Sequence, residues 1–451
     1  MIKTSLVIVG GGFGGVACAR ECARLFKRRP DIDITLVTPR PYHDYHGALY
    51  EMATAIEQEA GGRAHQRIDK GSRGACLRKA VCLPLEEIFR GTQVMCIHGT
   101  VTSVDRKKRQ VRISHGTSLF YSYLVLALGS VPAFHSVSGI REHALALKTI
   151  DDALSIRHMV LGAWKKKCHE ATHRTEGAIA PLKIAIGGGG FTGVEFAAEL
   201  AGMLKTLSSR LKEEARAPYE IILLSGNSLP LSQLGDTISH FTEVRLSACG
   251  IQVKQNSRIA KVERQRYTGR EHSLSSTIAT LHSGERMKAD IFIWAGGVEA
   301  ATLYQKLFPL YIGGHGRLVV EPQLMVTGEE RIFAVGDGAY LTTDQYPFGL
   351  PMQATIAVAE GVHAARNIAR AVSGQPLVPF QCPRVPFVVP LGGKYAVGIM
   401  PGGTMVQGFT AWLYKQWLEL NYYVKLLGVI RGIGVWASME KICLRNDWRS
   451  D

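Results

Sequence analysis

Two short glycine-rich segments have a spacing that suits one kind of chemistry. Both follow the pattern G-x-G-x-x-G, and their glycines are Gly10, Gly12 and Gly15 in the first segment and Gly188, Gly190 and Gly193 in the second. The first glycine of such a pattern permits a sharp turn, the second lets the backbone approach a pyrophosphate, and the third allows a helix to pack closely on a strand. One match is a weak signal, but two matches in one chain indicate two dinucleotide sites.

Each glycine turn stands where a buried strand should give way to a helix, and the same plan of strands appears twice. The predicted strands are Thr4–Val9, Ile32–Val37 and Tyr123–Ser130 around the first turn, and Leu182–Ile186, Glu220–Leu224 and Ile291–Val298 around the second. Continuous apolar runs of this length are typical of parallel strands that are covered on both faces. The sequence therefore predicts an α/β fold with two Rossmann-like dinucleotide-binding domains.

Both units depart from the usual pattern at the end of their second strand. An acidic residue there commonly binds the adenosine ribose, but this chain has Thr38 in the first unit and Ser225 in the second. A hydroxyl cannot make the two-acceptor contact of a carboxylate. The choice between NADH and NADPH therefore stays open.

A third apolar strand, Ile332–Val335, runs into a Gly-Asp-Gly corner that contains Gly336 and Asp337. A long helical pattern follows, from Gln353 to Ala371. An aspartate between glycines is frequent in ordinary turns. Beside two dinucleotide motifs, it is also a candidate ligand-binding residue.

Composition limits the classes of partner. The chain has 451 residues, a formal charge of +15, 46% hydrophobic residues and nine cysteines. Such a composition is that of a globular protein, and the absence of a CxxC pair argues against zinc and against a disulfide framework. Cys18 and Cys22, four residues apart on a predicted helix, are expected in the core.

The basic runs, for example Arg63–Lys79, lack interleaved aromatic residues, so we expect no nucleic-acid partner. An anionic membrane surface or a phosphate-bearing cofactor accounts for the positive charge.

The tail has a different character from the rest of the chain. Its apolar and aromatic residues recur at steps of three and four, at Phe409, Trp412, Leu413, Trp417, Leu420, Tyr423, Leu427 and Ile430, with Lys415, Lys425 and Arg431 among them. No uncharged run is long enough to span a bilayer. The pattern predicts an amphipathic helix that lies on a membrane and that can be removed after Gln407 without loss of a soluble flavoprotein. The alternative is a helix that packs on the protein or in a homodimer interface.

Several segments together resemble the type II NADH dehydrogenases, the single-subunit NADH:quinone oxidoreductases. The segments are IVGGGFGG, Tyr42–His43 with Leu49–Thr54, YLVLALGS, GGGGFTGVEFAAEL, IWAGGV and FAVGDGA, in the order of the family. The resemblance extends over most of the length. It implies bound FAD and NAD(P)H, and no metal.

The resemblance assigns residues to each cofactor. Those implied for FAD are Gly10, Gly12, Phe13, Gly14, Gly15, Thr38, Gly129, Gly336, Asp337 and Ala354. Those implied for NAD(P)H are Gly188, Gly190, Phe191, Thr192, Gly193, Glu195 and Gly297. Glu195 is also the catalytic residue that the resemblance implies, since it corresponds to a glutamate near nicotinamide and flavin. A carboxylate in the first helical turn suits the helix dipole as well.

The acceptor site departs from its family. Related proteins bind quinone through AQxAxQ, but here Thr355 and Ala359 stand in place of the two glutamines. Gln353 is adjacent, and these three residues are the candidate quinone contacts. A different quinone, a shifted site or another acceptor would each explain the change.

The resemblance predicts four regions: residues 1–150 as the first part of the FAD domain, 151–328 as the NAD(P)H domain, 329–385 as the second FAD part, and 386–451 as the membrane-association region. It implies hydride transfer from NAD(P)H to FAD and then transfer of two electrons to a membrane quinone, without proton pumping. It also implies a peripheral protein of the respiratory chain at the cytoplasmic side of the cell membrane. The alternatives are a sulfide:quinone oxidoreductase, for which Cys168 or Cys382 would be the redox thiol, and a low-turnover redox sensor.

Overall fold

This computed structural model of the chain describes residues 3–56, 75–173, 179–265, 276–309, 311–383 and 386–444. Most of the basic run Arg63–Lys79 lies outside these ranges, as do the last seven positions of the predicted membrane-association region, 445–451.

The described residues form helices and strands that alternate along much of the chain. The strands are β1 (Thr4–Val9), β2 (Ile32–Thr38), β3 (Tyr42–Asp44), β4 (Cys82–Pro84), β5 (Val94–His98), β6 (Val101–Asp105), β7 (Gln110–Ile113), β8 (Ser118–Phe120), β9 (Tyr123–Leu126), β10 (Ser130–Pro132), β11 (Leu145–Ala146), β12 (Leu182–Gly187), β13 (Tyr219–Leu224), β14 (Ile251–Lys254), β15 (Ile259–Gln265), β16 (Ser276–Leu281), β17 (Arg286–Ala289), β18 (Ile291–Trp294), β19 (Val298–Ala300), β20 (Leu318–Val319), β21 (Ile332–Ala334), β22 (Ala339–Tyr340), β23 (Phe387–Pro390), β24 (Ala396–Ile399) and β25 (Met405–Gly408). The helices are α1 (Phe13–Leu25), α2 (Leu49–Thr54), α3 (Ala75–Val81), α4 (Leu85–Ile88), α5 (Ile140–His143), α6 (Ile150–His173), α7 (Phe191–Ser209), α8 (Asp236–Ala248), α9 (Leu303–Leu307), α10 (Ala354–Val372), α11 (Phe409–Leu427) and α12 (Val429–Cys443).

The chain divides into two compact units, each assembled from three separate stretches. Unit 1 comprises residues 1–44, 82–131 and 298–385, and unit 2 comprises residues 45–81, 132–297 and 386–451. These divisions fall at other positions than the four regions expected from the sequence, and the boundaries of those functional regions stay a prediction.

The sheet of unit 1 has five parallel strands in the order β21-β9-β1-β2-β5. The strand that leads into the first glycine turn, β1, is in the middle, and its side chains from Leu6 to Val9 are almost fully buried. Helices α1 and α10 pack against each other in this unit. Cys18 and Cys22, on α1, are fully buried, as the sequence predicts.

The sheet of unit 2 repeats this arrangement with the order β11-β18-β12-β13-β14, again with all strands parallel. Here β12 leads into the second glycine turn and occupies the position equivalent to β1. The later apolar strands of the sequence pattern, β9 and β18, lie directly beside β1 and β12. The predicted α/β fold with two Rossmann-like units is therefore confirmed.

The tail belongs to unit 2 and begins with a small antiparallel sheet, β23-β24-β25, before its helices. The helical pattern expected to be continuous is split at Gly428, whose φ of 83° lies in the left-handed region that favours glycine. None of the described helices has the length and apolar character needed to cross a membrane.

Helix α11 has an unusual distribution of side chains. Its buried face includes the polar residues Lys415, Gln416 and Glu419, whereas Phe409 and Trp417 are exposed. The sequence pattern predicts Lys415 among the basic residues of an interfacial helix, and this prediction is wrong, because Lys415 is buried in an ion pair.

Candidate functional site

The first glycine turn joins β1 to α1 at the carboxyl end of the unit 1 sheet. Gly10 has a φ of 117°, and a Cβ atom placed on it would lie 2.0 Å from the carbonyl oxygen of Ala127. A Cβ atom on Gly15 would lie 1.9 Å from the carbonyl oxygen of Gly10. Side chains at either position would clash with backbone, so the turn requires glycine at both.

Gly12, the second glycine of the pattern, faces open space instead of backbone. A Cβ atom on Gly12 would meet none of the described atoms within 4 Å, so open space lies in front of it. Gly12 is also the N-cap of α1, and no side chain caps the backbone N–H groups of the first turn, which begins at Phe13. A helix N-terminus with open space before it suits an anionic pyrophosphate. The first turn therefore fits a dinucleotide.

Thr38 ends β2 and lies directly behind the turn. A Cβ atom on Gly11 would lie 2.9 Å from the Thr38 Oγ1 atom, and the Thr38 side chain is buried. His43 is also buried, donates from Nδ1 to the carbonyl oxygen of Gly11 at 3.0 Å and contacts the Phe13 ring edge-on. Burial lowers the pKa of His43. The neutral imidazole therefore supports the glycine turn from behind.

The Gly-Asp corner, Gly336–Gly338, follows β21 at the same edge of the sheet. Asp337 accepts a short hydrogen bond from the Ser130 hydroxyl, next to Gly129. The backbone N–H of Gly336 donates to Oε2 of Glu360 at 2.5 Å. Glu360, which the sequence analysis did not single out, is 2% exposed, and burial raises its pKa to about 8.

Helix α10 brings the corner and the glycine turn together. A Cβ atom on Gly361 would lie 2.2 Å from the carbonyl oxygen of Gly14, and one on Gly14 would lie 3.2 Å from the carbonyl oxygen of Ala357. The residues implied for FAD, including Ala354 at the start of α10, are thus grouped at one edge of unit 1. The candidate quinone residues lie at the start of the same helix: Gln353 is its N-cap, Thr355 is exposed and Ala359 is partly exposed.

The second glycine turn in unit 2 repeats the geometry of the first. Gly188 has a φ of 125°, and a Cβ atom added to it would lie 2.2 Å from the carbonyl oxygen of Ala295. A Cβ atom added to Gly193 would lie 1.9 Å from the carbonyl oxygen of Gly188. A Cβ atom on Gly190, the N-cap of α7, would meet none of the described atoms within 4 Å. Phe191 and Thr192 begin α7, and Gly297 follows β18 with a φ of 99°. This turn therefore fits a second dinucleotide.

Glu195 lies in the second turn of α7 and is partly exposed. Burial raises the pKa of Glu195 to about 8. The positive charge of Lys415 opposes this rise, and the carboxylates of Glu51 and Glu419 add to it. A carboxyl group with such a pKa holds its proton at neutral pH and can exchange it there.

A buried cluster of charges in unit 2 acts electrostatically on Glu195, and the sequence patterns do not reveal it. The Lys415 Nζ atom lies 2.5 Å from Glu51 Oε1 and 3.2 Å from Glu419 Oε1. All three side chains are at most 8% exposed. Burial raises the pKa of Glu419 to about 8; for Lys415, the two carboxylates outweigh the effect of burial and raise its pKa. The four-residue spacing of Lys415 and Glu419 was visible in the sequence, but the distant partner, Glu51, was not.

The cysteines proposed for sulfide chemistry do not have the character of redox nucleophiles. Cys168 and Cys382 are free thiols, and both are only partly exposed. Burial raises the pKa of each thiol. Since the thiolate is the reactive form, both are less nucleophilic than an ordinary cysteine at neutral pH.

Comparison with known proteins places this geometry in a family. Residues 4–361 match the model of the pyridine nucleotide-disulphide oxidoreductases, and the chain belongs to that family. A type II NADH:quinone oxidoreductase of Staphylococcus haemolyticus is 24% identical over 429 residues, which is 95% of this chain and 97% of that protein. The resemblance to the type II NADH dehydrogenases expected from the sequence is thereby confirmed.

Solved structures with this fold come from more than one activity. NDH2 from Plasmodium falciparum in complex with NADH has a TM-score of 0.75 at 18% identity, covering 97% of this chain and 98% of that one. The sulfide:quinone oxidoreductase of Aquifex aeolicus has a TM-score of 0.70 at 18% identity, and the match covers 95% of this chain and 92% of that one. The fold alone therefore does not separate these two activities.

Proposed function

We propose that this chain is a type II NADH:quinone oxidoreductase, which uses FAD to carry electrons from NADH to a membrane quinone. One observation supports this function above all. Both glycine turns are complete and have open space before the helix that follows, within a chain that is related over nearly its whole length to a protein of this activity. The sulfide reaction is less well supported, because it has no use for the second turn and the candidate thiols have raised pKa values.

Each unit has its own task in this proposal. Unit 1 holds FAD at the Gly10–Gly15 turn, with Asp337 as the hydrogen-bond acceptor for its polar chain. Unit 2 holds NADH at the Gly188–Gly193 turn. When bound, the two cofactors would supply the redox chemistry, which is hydride transfer from nicotinamide to flavin and two-electron transfer to the acceptor. The protein binds, orients and excludes water.

Glu195 is the proposed catalytic residue. It is protonated at neutral pH and has the buried ion pairs of Lys415 next to it in unit 2. A quinone that accepts two electrons must also take up two protons, so a carboxyl group with a pKa near the working pH is suited to supply one. Gln353, Thr355 and Ala359 stay candidate quinone contacts.

Attachment to a membrane surface is proposed from the outward faces of the last two helices. Phe409, Leu413 and Trp417 on α11 and Ile430 on α12 are between 47% and 89% exposed. Because α11 buries Lys415 and Glu419 and exposes Phe409, Leu413 and Trp417, its outer face is adapted to an apolar partner. We infer a peripheral position on the cytoplasmic side of the membrane; a homodimer that covers this face is the alternative.

An anaerobic titration of the purified protein tests the electron pathway. NADH should bleach the flavin absorption band, and a soluble quinone should then restore it. If neither NADH nor NADPH bleaches the flavin, the proposed function is wrong, and bleaching by sulfide would favour the rival enzyme.

Two glycine variants test the assignment of the second turn. The Cβ atom added in Gly190→Val meets none of the described atoms within 4 Å, and the side chain enters the space proposed for the pyrophosphate, so NADH affinity should fall with flavin content unchanged. Gly162→Ala on α6, where an added Cβ atom also has open space, is the matched control and should bind NADH normally. Equal NADH affinity in both variants would contradict the assignment.

A further inference from the structure

The end of β13 in unit 2 carries polar groups that the proposed hydride transfer does not use. Ser225 follows β13 directly, and a Cβ atom on Gly189 would lie 2.7 Å from its Oγ atom. This buried hydroxyl therefore lies against the glycine turn. In dinucleotide-binding folds, this is the position from which a carboxylate contacts the adenosine ribose.

The loop after Ser225 is hydrogen-bonded to the second glycine turn. The N–H of Leu231 donates to the carbonyl oxygen of Gly189 at 2.8 Å. The Ser225 hydroxyl accepts from the N–H of Asn227 at 3.3 Å and donates to the carbonyl oxygen of Leu229 at 3.4 Å. Residues 225–231 thus form a defined edge beside the second glycine turn.

Arg258 stands at this edge. Its side chain packs on Gly226, with its Cγ atom 3.3 Å from where a Cβ atom would be, and its Nε atom donates to the Gly226 carbonyl oxygen at 3.4 Å. The neighbouring residue, Ser257, donates its N–H to the carbonyl oxygen of Ser225 at 2.7 Å. Arg258 is exposed, and among the described residues no carboxylate forms an ion pair with it. Lys254, also nearby, is neutralised by Glu285.

We propose that Arg258, together with the backbone of residues 225–227, binds the 2′-phosphate of NADPH, so that this chain accepts NADPH as well as NADH. The inference rests on the proposed binding of a nicotinamide dinucleotide at the Gly188–Gly193 turn. A guanidinium group pairs with a phosphate through two parallel hydrogen bonds. An acid at Ser225 would repel that phosphate, and the chain has none there.

Equilibrium binding of NAD⁺ and NADP⁺ to the flavin-containing protein tests the inference without turnover. Wild type should bind both, with NADP⁺ affinity falling as salt is added. Arg258→Ala should weaken NADP⁺ binding by about tenfold and change NAD⁺ binding by less than about twofold, since a charge-assisted hydrogen bond is lost in one case only. Arg258→Lys should retain part of the NADP⁺ affinity.

Arg286→Ala is the matched control, because Arg286 is an exposed arginine of the same unit that pairs with Glu263. It should leave both affinities unchanged. The inference is overturned if wild type binds NAD⁺ but not NADP⁺, or if Arg258→Ala weakens both ligands equally. Failure to bind either dinucleotide would contradict the proposed function itself.

Discussion

Glu195 holds its proton at neutral pH because burial raises the pKa of its carboxyl group to about 8; the positive charge of Lys415 opposes this rise, and the carboxylates of Glu51 and Glu419 add to it. Sequence motifs reveal Glu195 itself, since it follows the third glycine of the second turn. They do not reveal its proton affinity, which depends on Glu51 and Lys415, residues far apart in the chain. At this scale, the sequence identifies a candidate residue, and packing determines the proton affinity of its carboxyl group.

Replacing Glu195 with glutamine should separate proton delivery from nicotinamide binding. Wild-type quinone reduction should decline as the pH rises through about 8, because the protonated acid is the active form. Glu195→Gln should lower kcat with quinone, abolish that decline and leave the rate of flavin bleaching by NADH unchanged. Steady-state turnover and stopped-flow absorbance measure the two steps. An increase in the KM for NADH with unchanged kcat would instead indicate that Glu195 only positions the nicotinamide.

Lys415→Met should destabilise the protein by about 3–5 kcal/mol at pH 8, because it leaves Glu51 and Glu419 buried without their cation. The loss should be smaller at pH 6, where Glu419, whose pKa burial raises to about 8, can take up a proton. Lys425→Met, an exposed position on the same helix, should change the free energy of unfolding by less than about 0.5 kcal/mol. Urea denaturation of both variants measures the difference, and equal effects would show that the buried cation has no structural role.

Helices α11 and α12 show where sequence patterns mislead. Their apolar periodicity was visible, and it predicted a removable membrane helix. The buried face of α11 is instead integral to unit 2, since Lys415 pairs with Glu51 and the Tyr423 hydroxyl donates to the carbonyl oxygen of Ala80. Deletion after Gln407 should therefore unfold part of unit 2, contrary to the expectation from sequence. A periodic pattern identifies a stripe but not the partner that covers it.

Two glycines on α12 test how tightly these helices pack. A Cβ atom on Gly432 would lie 2.5 Å from the backbone of Val424 on α11, so Gly432→Ala should cost about 1–3 kcal/mol of stability through overpacking. Gly434 has no described atom within 4 Å of an added Cβ atom, and Gly434→Ala should be neutral or stabilise the helix by up to about 1 kcal/mol. Thermal unfolding of the two variants measures both changes in stability. The same change in both variants would contradict the close approach of α11 and α12.

For the whole molecule, the repeated sheet was readable from sequence because parallel strands such as β1 and β12 are continuous apolar runs between recognisable turns. Small sheets such as β23-β24-β25 were not predicted, since their strands are short and lack one consistent alternation. The glycine turns and the Gly-Asp corner were predicted for the same reason as the strands: their chemistry is local. Glu360 was not, because its role depends on a hydrogen bond across 24 residues.

The buried acids should make the stability of the whole protein depend on pH. Glu195, Glu360 and Glu419 have pKa values of about 8 in the folded chain, above the ordinary value of 4.5. The folded state therefore binds more protons between those limits, and the free energy of unfolding should fall as the pH rises from 5.5 to 8. Each acid contributes at most about 1.4 kcal/mol per pH unit. Urea denaturation with saturating FAD measures the slope, which Glu360→Gln should reduce; a slope unchanged in that variant would contradict the buried-acid explanation.

The division of each unit into three stretches has a consequence for biosynthesis. The sheet of unit 1 begins with β1, but its edge strand β21 is made only when the ribosome has passed residue 334, and α10 comes later still. Unit 2 cannot form its buried ion pair until Lys415, the partner of Glu51, has been synthesised. During translation, one edge of β9 therefore stays unpaired until β21 is made, and Glu51 on α2 stays without its cation until Lys415 is made. Nascent chains of this protein should depend on chaperones until the ribosome has passed α10, which completes unit 1, and α11, which carries the cation of unit 2.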